Sequence, residues 1–108
     1  MKTIFLVLAL MTFGSVTYAE DTIQVRTTIK NHRFEPAEIK VPANKPISLT
    51  VKNADSTPEE FESKMMRLEK VIVGGGEATL QIRALSPGRY RFYGDYSEST
   101  AEGFLVVE

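Results

Sequence analysis

Cysteine and tryptophan are absent from the 108-residue chain, and histidine occurs once, at His32. Without a thiol there can be no disulfide, iron–sulfur cluster, thiolate metal site or cysteine nucleophile. One imidazole cannot supply the spaced ligand pairs of a zinc site, and no His-containing triad or nucleophile elbow is present. Neither sign of charge dominates. The 13 Lys and Arg against 14 Asp and Glu lack the basic excess of a nucleic-acid binder. The one glycine run, Gly74-Gly75-Gly76, is followed by Glu77 and Ala78, not by the Lys-Ser/Thr of a phosphate loop. What remains is 43% hydrophobic and 25% charged, the composition of an ordinary folded domain.

Part of that hydrophobicity belongs to a leader. Lys2 provides a positive start, Ile4 to Phe13 is apolar apart from Thr12, and Thr17-Tyr18-Ala19 places small residues before a cleavage point. Residues 1–19 read as a secretory signal peptide, with residues 20–108 as the mature domain. The apolar run is too short for a comfortable span, so no membrane insertion is expected after cleavage. A short exported chain with a single lysine before its apolar stretch fits bacterial export to the periplasm.

The mature chain reads as strands. Thr22–Lys30, Glu38–Val41, Ile47–Lys52, Ala78–Ile82, Arg89–Tyr93 and Phe104–Val107 are rich in β-formers, and most alternate apolar with polar residues. Turn chemistry separates them at Asn31-His32-Arg33, Glu35-Pro36-Ala37, Ala43–Pro46 and Ser86-Pro87-Gly88. Asn53–Glu60 is expected to be a loop or one helical turn, with Thr57 as N-cap and Pro58 at the first position. Lys64–Lys70 is expected to be extended, and Gly94–Gly103 a polar loop. Seven or eight short strands at even spacing predict an all-β fold, an antiparallel Greek-key sandwich.

Four segments carry a family likeness: Phe34–Ala43, Ile47–Asn53, Leu85–Tyr93 and Gly103–Val107. In order and spacing they resemble cupredoxin domains. Cupredoxins hold type-1 copper with a first His in a Pro-His-x-Phe context, then Cys, His and Met in the loop before the last strand. Laid on this chain, those positions fall on Glu59, Gly94, Ser97 and Ala101. No type-1 copper is therefore expected. The segments Thr57–Ser63, Leu68–Ile72, Gly94-Asp95 and Thr100–Gly103 resemble more closely the small periplasmic cupredoxin-like proteins found with bacterial high-affinity iron permeases. They are also similar to the cupredoxin-like domain of the EfeO-type ferrous iron uptake component. That resemblance implies an accessory role in iron uptake, binding or handing on iron, with copper a second candidate. It also implies periplasmic or inner-membrane iron-uptake partners and, with them, a contribution to ferrous iron oxidation. Members carry His in the region of Lys64 or Ser97, and this chain has none there.

Hard cations such as iron accept carboxylate oxygens. Glu59, Glu60, Glu62 and Glu69 fall in one stretch, and Asp95 and Glu98 in the last loop; the likeness brings both regions to one end of the sandwich. Glu60, Glu62, Glu69 and Asp95 are the leading metal candidates, with Glu59 and Glu98 at the rim. The alternative is a salt-bridge network in which Lys64, Arg67 and Lys70 neutralise these acids. Met65 and Met66 offer thioethers for Cu(I) near the same end, although strand alternation lets at most one face a pocket. His32, alone in a turn, reads as a surface or hydrogen-bonded residue. Tyr90 and Phe92 share one strand face and Tyr93 takes the other. Beside the iron-uptake reading stands a metal-free module docking a periplasmic or permease partner through its acidic end. The side-chain inventory is too thin for an enzyme acting alone.

Overall fold

Alternating side chains that place one row on a core and the next in water are the reason these segments become strands. The computed structural model describes residues 21–108; the leader assigned to residues 1–19 lies outside them. The described residues form nine strands: β1 Ile23–Lys30, β2 Arg33–Glu35, β3 Glu38–Val41, β4 Ile47–Asn53, β5 Glu59–Ser63, β6 Leu68–Ile72, β7 Glu77–Ile82, β8 Gly88–Gly94 and β9 Glu102–Val107. They make two sheets, ordered β2-β1-β4-β7 and β3-β9-β8-β5-β6.

The expected sandwich is present, but it is not purely antiparallel. β1 runs parallel to β4, and β3 parallel to β9. The chain crosses between the sheets after β2, β3, β4, β6 and β7, so strands that meet side by side are not always hairpin partners. Local turn signals cannot report such pairings.

Between the sheets lie Ile29, Leu49, Val51, Leu105 and a trio of rings. Phe34 meets Phe92 edge-on at 4.9 Å, and Phe61 stacks on Phe92 at 5.2 Å. Phe61 and Phe92 come from the adjacent strands β5 and β8, so the core stiffens the pair of strands that carries the acidic residues.

Two local expectations are corrected. Residues 54–58 hold no helical turn. Asn53, fully buried, donates its amide to the carbonyls of Thr57 (2.9 Å) and Ile72 (3.0 Å), and this cross-link holds the segment as bends that lead directly into β5. Nor is Lys64–Lys70 extended throughout: Lys64–Arg67 is a turn, and β6 begins at Leu68. The reversal ends at Arg67 with φ 58°, a left-handed conformation that continues no strand. The turn Asn31-His32 is as expected. Both residues have positive φ, and the Asp55 carboxylate accepts their two N–H groups at 2.7 and 2.9 Å. Among the described residues no helix is long and apolar enough to cross a membrane.

Candidate metal centre

The parity of β5 divides its residues. Glu59, Phe61 and Ser63 point inward and are buried, while Glu60 and Glu62 lie on the outer face and are half-buried. β5 sits between β8 and β6, so Glu62 stands opposite Tyr93 on one side and opposite Glu69 on the other. β8 ends at Gly94, opposite Phe61, and a single 3-10 turn at Asp95–Ser97 follows. That turn is closed by Gly94 N–H to Ala101 O (2.9 Å) and Ala101 N–H to Ser97 O (2.8 Å). It brings Asp95 to the outer face beside β5. One carboxylate oxygen each from Glu60, Glu62 and Asp95 then lies within 4.8 Å of the others.

This cluster lacks cationic relief. Among the described residues no ion pair joins Glu60, Glu62, Glu69 or Asp95 to a lysine or arginine. Among the described residues, Lys64, Arg67 and Lys70 form none of the ion pairs with these acids that the sequence allowed. Partial burial, with the charges of Glu69, Asp95 and Glu62 around it, pushes the Glu60 carboxyl above its ordinary value. The Tyr93 hydroxyl donates to Glu62 Oε2 at 2.9 Å. Burial first, then that bond and the neighbouring carboxylates, raise the phenol to about 12. The guanidinium of Arg91 lies 4.4 Å over the Tyr93 ring and pairs with Glu102 (2.6 Å) and Glu98 (3.5 Å), so it borders the cluster without neutralising it. Three close carboxylate oxygens suit a hard cation.

The remaining sequence candidates lie elsewhere. Glu69 shares the outer face and adds charge, but it is not one of the three converging ligands. Glu98 is drawn to Arg91. Met65 and Met66 lie in the Lys64–Arg67 turn that follows β5, off the strand that carries Glu60 and Glu62. Met66 is buried and Met65 is 53% exposed. Sequence reading missed the role of Tyr93 as donor to Glu62; its place one residue before Gly94, on the outward parity, was the available signal.

Glu59 corrects the expectation of a rim residue: it is 2% exposed. Its Oε1 accepts the N–H groups of Tyr96 (2.8 Å) and Glu60 (3.0 Å), and its buried Oε2 has no hydrogen-bond partner. A Cβ placed on Gly94 would sit 2.6 Å from Glu59 Cδ and 2.9 Å from the Ala101 Cβ. Three of the four positions aligned with type-1 copper ligands are therefore packed against one another, filled by the Glu59 side chain. Ser97, the fourth, contacts His32 Nδ1 through its hydroxyl at 3.2 Å. A type-1 centre needs a thiolate and two imidazoles. Glu59, Gly94, Ser97 and Ala101 supply neither, so the residues present do not fit that copper site.

Two packed sheets in this strand order, with a loop before the last strand meeting the start of β5, define a cupredoxin-like sandwich whose type-1 ligand positions are closed. The cupredoxin-like domain model matches residues 3–107, and the chain belongs to that family. An uncharacterized protein of Rickettsia prowazekii is 38% identical over 88 residues, covering 82% of this chain and 70% of that protein. Among solved structures, auracyanin A, a blue copper protein of Chloroflexus aurantiacus, superposes with TM-score 0.70 at 13% identity, over 81% of this chain and 99% of its own. The metal-binding domain of the Streptococcus pneumoniae Cu(I)-exporting P-type ATPase CopA gives TM-score 0.69 at 15% identity, over 82% and 97%. At those identities the likeness is one of fold.

Proposed function

We propose that the protein is a periplasmic cupredoxin-like accessory of iron uptake, which holds a ferrous or ferric ion on the acidic outer face of β5 and passes it to a permease system. The observation that carries this reading is the convergence of Glu60, Glu62 and Asp95 oxygens within 4.8 Å, with no cation among the described residues to balance them. Oxygen ligands favour hard iron over Cu(I); the methionines that would favour copper both lie in the turn beyond β5, and Met66 is buried in the core. A half-buried, open-faced carboxylate site gives up its ion more readily than an enclosed one, as a transfer protein requires.

The test is an anaerobic Fe(II) titration of the mature protein by calorimetry, with Glu60→Gln and Asp95→Asn beside it. Each substitution removes one charged ligand and is expected to weaken binding at least tenfold. Affinity should also fall as acid protonates Glu60, whose pKa is raised. No Fe(II) binding by the wild type, or equal binding by both variants, overturns the proposal. Val71, opposite Glu60, is 47% exposed and Tyr96, next to Asp95, is 55% exposed. These apolar groups beside the acids favour a metal-free docking face as the second reading, and partner capture that persists in chelator selects it.

A further inference from the structure

Six arginines are present in the chain. Arg26 pairs with Glu77, Arg89 with Glu38, and Arg91 with Glu98 and Glu102. Of the three that pair with no carboxylate among the described residues, two line the same cleft. Arg67, from the β5–β6 turn, and Arg83, just past β7, flank an open cleft of about 450 Å³ with Met66. The two arginines come from different sheets, meeting where the edge strands β6 and β7 adjoin near the Ser63 end of β5. All charged side chains lining it, among the described residues, are positive.

The turn that presents Arg67 is fixed. Ser63 donates its hydroxyl to the Arg91 carbonyl (2.6 Å) and accepts the Met66 N–H (3.3 Å). Met66 is 3% exposed and anchors the turn in the core, and it lines the cleft together with the two arginines. Arg67 itself holds φ 58°, a conformation glycine adopts without strain and arginine does not. A residue that costs backbone strain and forms no ion pair among the described residues is poorly explained by folding alone.

We infer that Arg67 and Arg83 form a binding site for a phosphate-type oxyanion. Two planar, permanently charged guanidinium groups match a group carrying nearly two negative charges and several acceptor oxygens. The volume exceeds that of phosphate alone and falls in the range of small-molecule sites, so an organic portion can rest on Met66. A free phosphate monoester offers this full charge, and a phospholipid headgroup offers the same oxyanion as a phosphodiester with one charge and two free oxygens.

The experiment uses the mature protein, with inorganic phosphate titrated at constant ionic strength and followed by amide chemical shifts. A parallel arm measures sedimentation with phosphatidylglycerol vesicles against neutral phosphatidylcholine vesicles. Saturable shifts centred on residues 66–67 and 83 are expected, weakened about tenfold in Arg83→Gln and in Arg67→Gly. Arg67→Gly suits the local φ, so its melting temperature should hold or rise while binding is lost, which a structural role for Arg67 would reverse. Sedimentation with anionic vesicles that depends on both arginines, without phosphate shifts, supports the site and assigns it to headgroups. Binding in neither arm, or binding unchanged in both variants, overturns it. Iron titration of the same variants should be unaffected, so failure here leaves the acidic-face reading standing, and the reverse.

Discussion

Replacing Gly94 by alanine tests whether Glu59 is the element that closes the former ligand positions. The new methyl carbon would lie 2.6 Å from Glu59 Cδ and 2.9 Å from the Ala101 Cβ, well inside ordinary contact distance. Because Glu59 is buried and held by two N–H donors, it cannot swing away freely, and overpacking of this kind costs about 1–3 kcal/mol. Glu59→Ala alone strands the N–H groups of Glu60 and Tyr96 and opens a small void. At about 1–3 kcal/mol for each of the two groups left unpaired, a loss of about 2–6 kcal/mol is expected. At about 4–8 °C per kcal/mol for a domain of this length, Tm should fall by at least about 8 °C. Glu59→Gln keeps the accepting oxygen and should stay within about 1 kcal/mol of wild type. In the double variant the methyl group enters space vacated by the carboxyl, so the two losses should not add: the pair is expected to be less destabilised than the sum by about 1–2 kcal/mol. Urea unfolding of the four proteins measures the cycle. Additivity within about 0.5 kcal/mol would refute the claim that these two positions compete for one volume.

Two further predictions concern pH. Tyr93 ionises near 12, above its unfolded value, so the stability tied to its neutral form is intact below about pH 10 and is lost as pH rises toward 12. Ultraviolet phenolate titration should show a late component that Tyr93→Phe abolishes, and that Glu62→Gln moves to lower pH; a single early transition in the wild type contradicts this. Asp55 behaves oppositely. The N–H of His32 first, then that of Asn31 and the nearby imidazole, hold its carboxyl below the usual range. The stability it contributes is present above about pH 4 and fades as pH falls through the lowered value. Asp55→Asn should flatten the acid limb of a pH–stability curve, and an unchanged limb would exclude Asp55 as its source.

The cation-free cluster and the filled ligand positions were legible to different degrees. Pro58-Glu59-Glu60-Phe61 and Gly94-Asp95 marked stretches whose acids meet in the fold, because an alternating strand announces its own outward acids. Glu60, Glu62 and Asp95 indeed come together. Glu98 and Glu69 looked equivalent to them in one dimension, yet Arg91 draws away the first, and strand register leaves the second outside the converging set. Met65 and Met66 were read as strand residues, but Lys64–Arg67 is a turn, which buries Met66 in the core and leaves Met65 exposed. A left-handed arginine has no signature in composition.

The sequence alone determined that no thiolate chemistry is possible, that the domain is built of alternating strands, and that the cupredoxin ligand positions hold Glu59, Gly94, Ser97 and Ala101. These follow from residue identity and local periodicity. Tertiary structure decided what those residues do. The inward parity of β5 buries Glu59 in the space that a side chain on Gly94 would need. The next residue outward joins Glu62 and Asp95 across two strands and a turn. Arg67 and Arg83, 16 positions apart in the sequence, share a cleft because β6 and β7 are edges of different sheets. Contacts of that kind depend on crossovers and parallel pairings, which the local pattern of a chain does not encode.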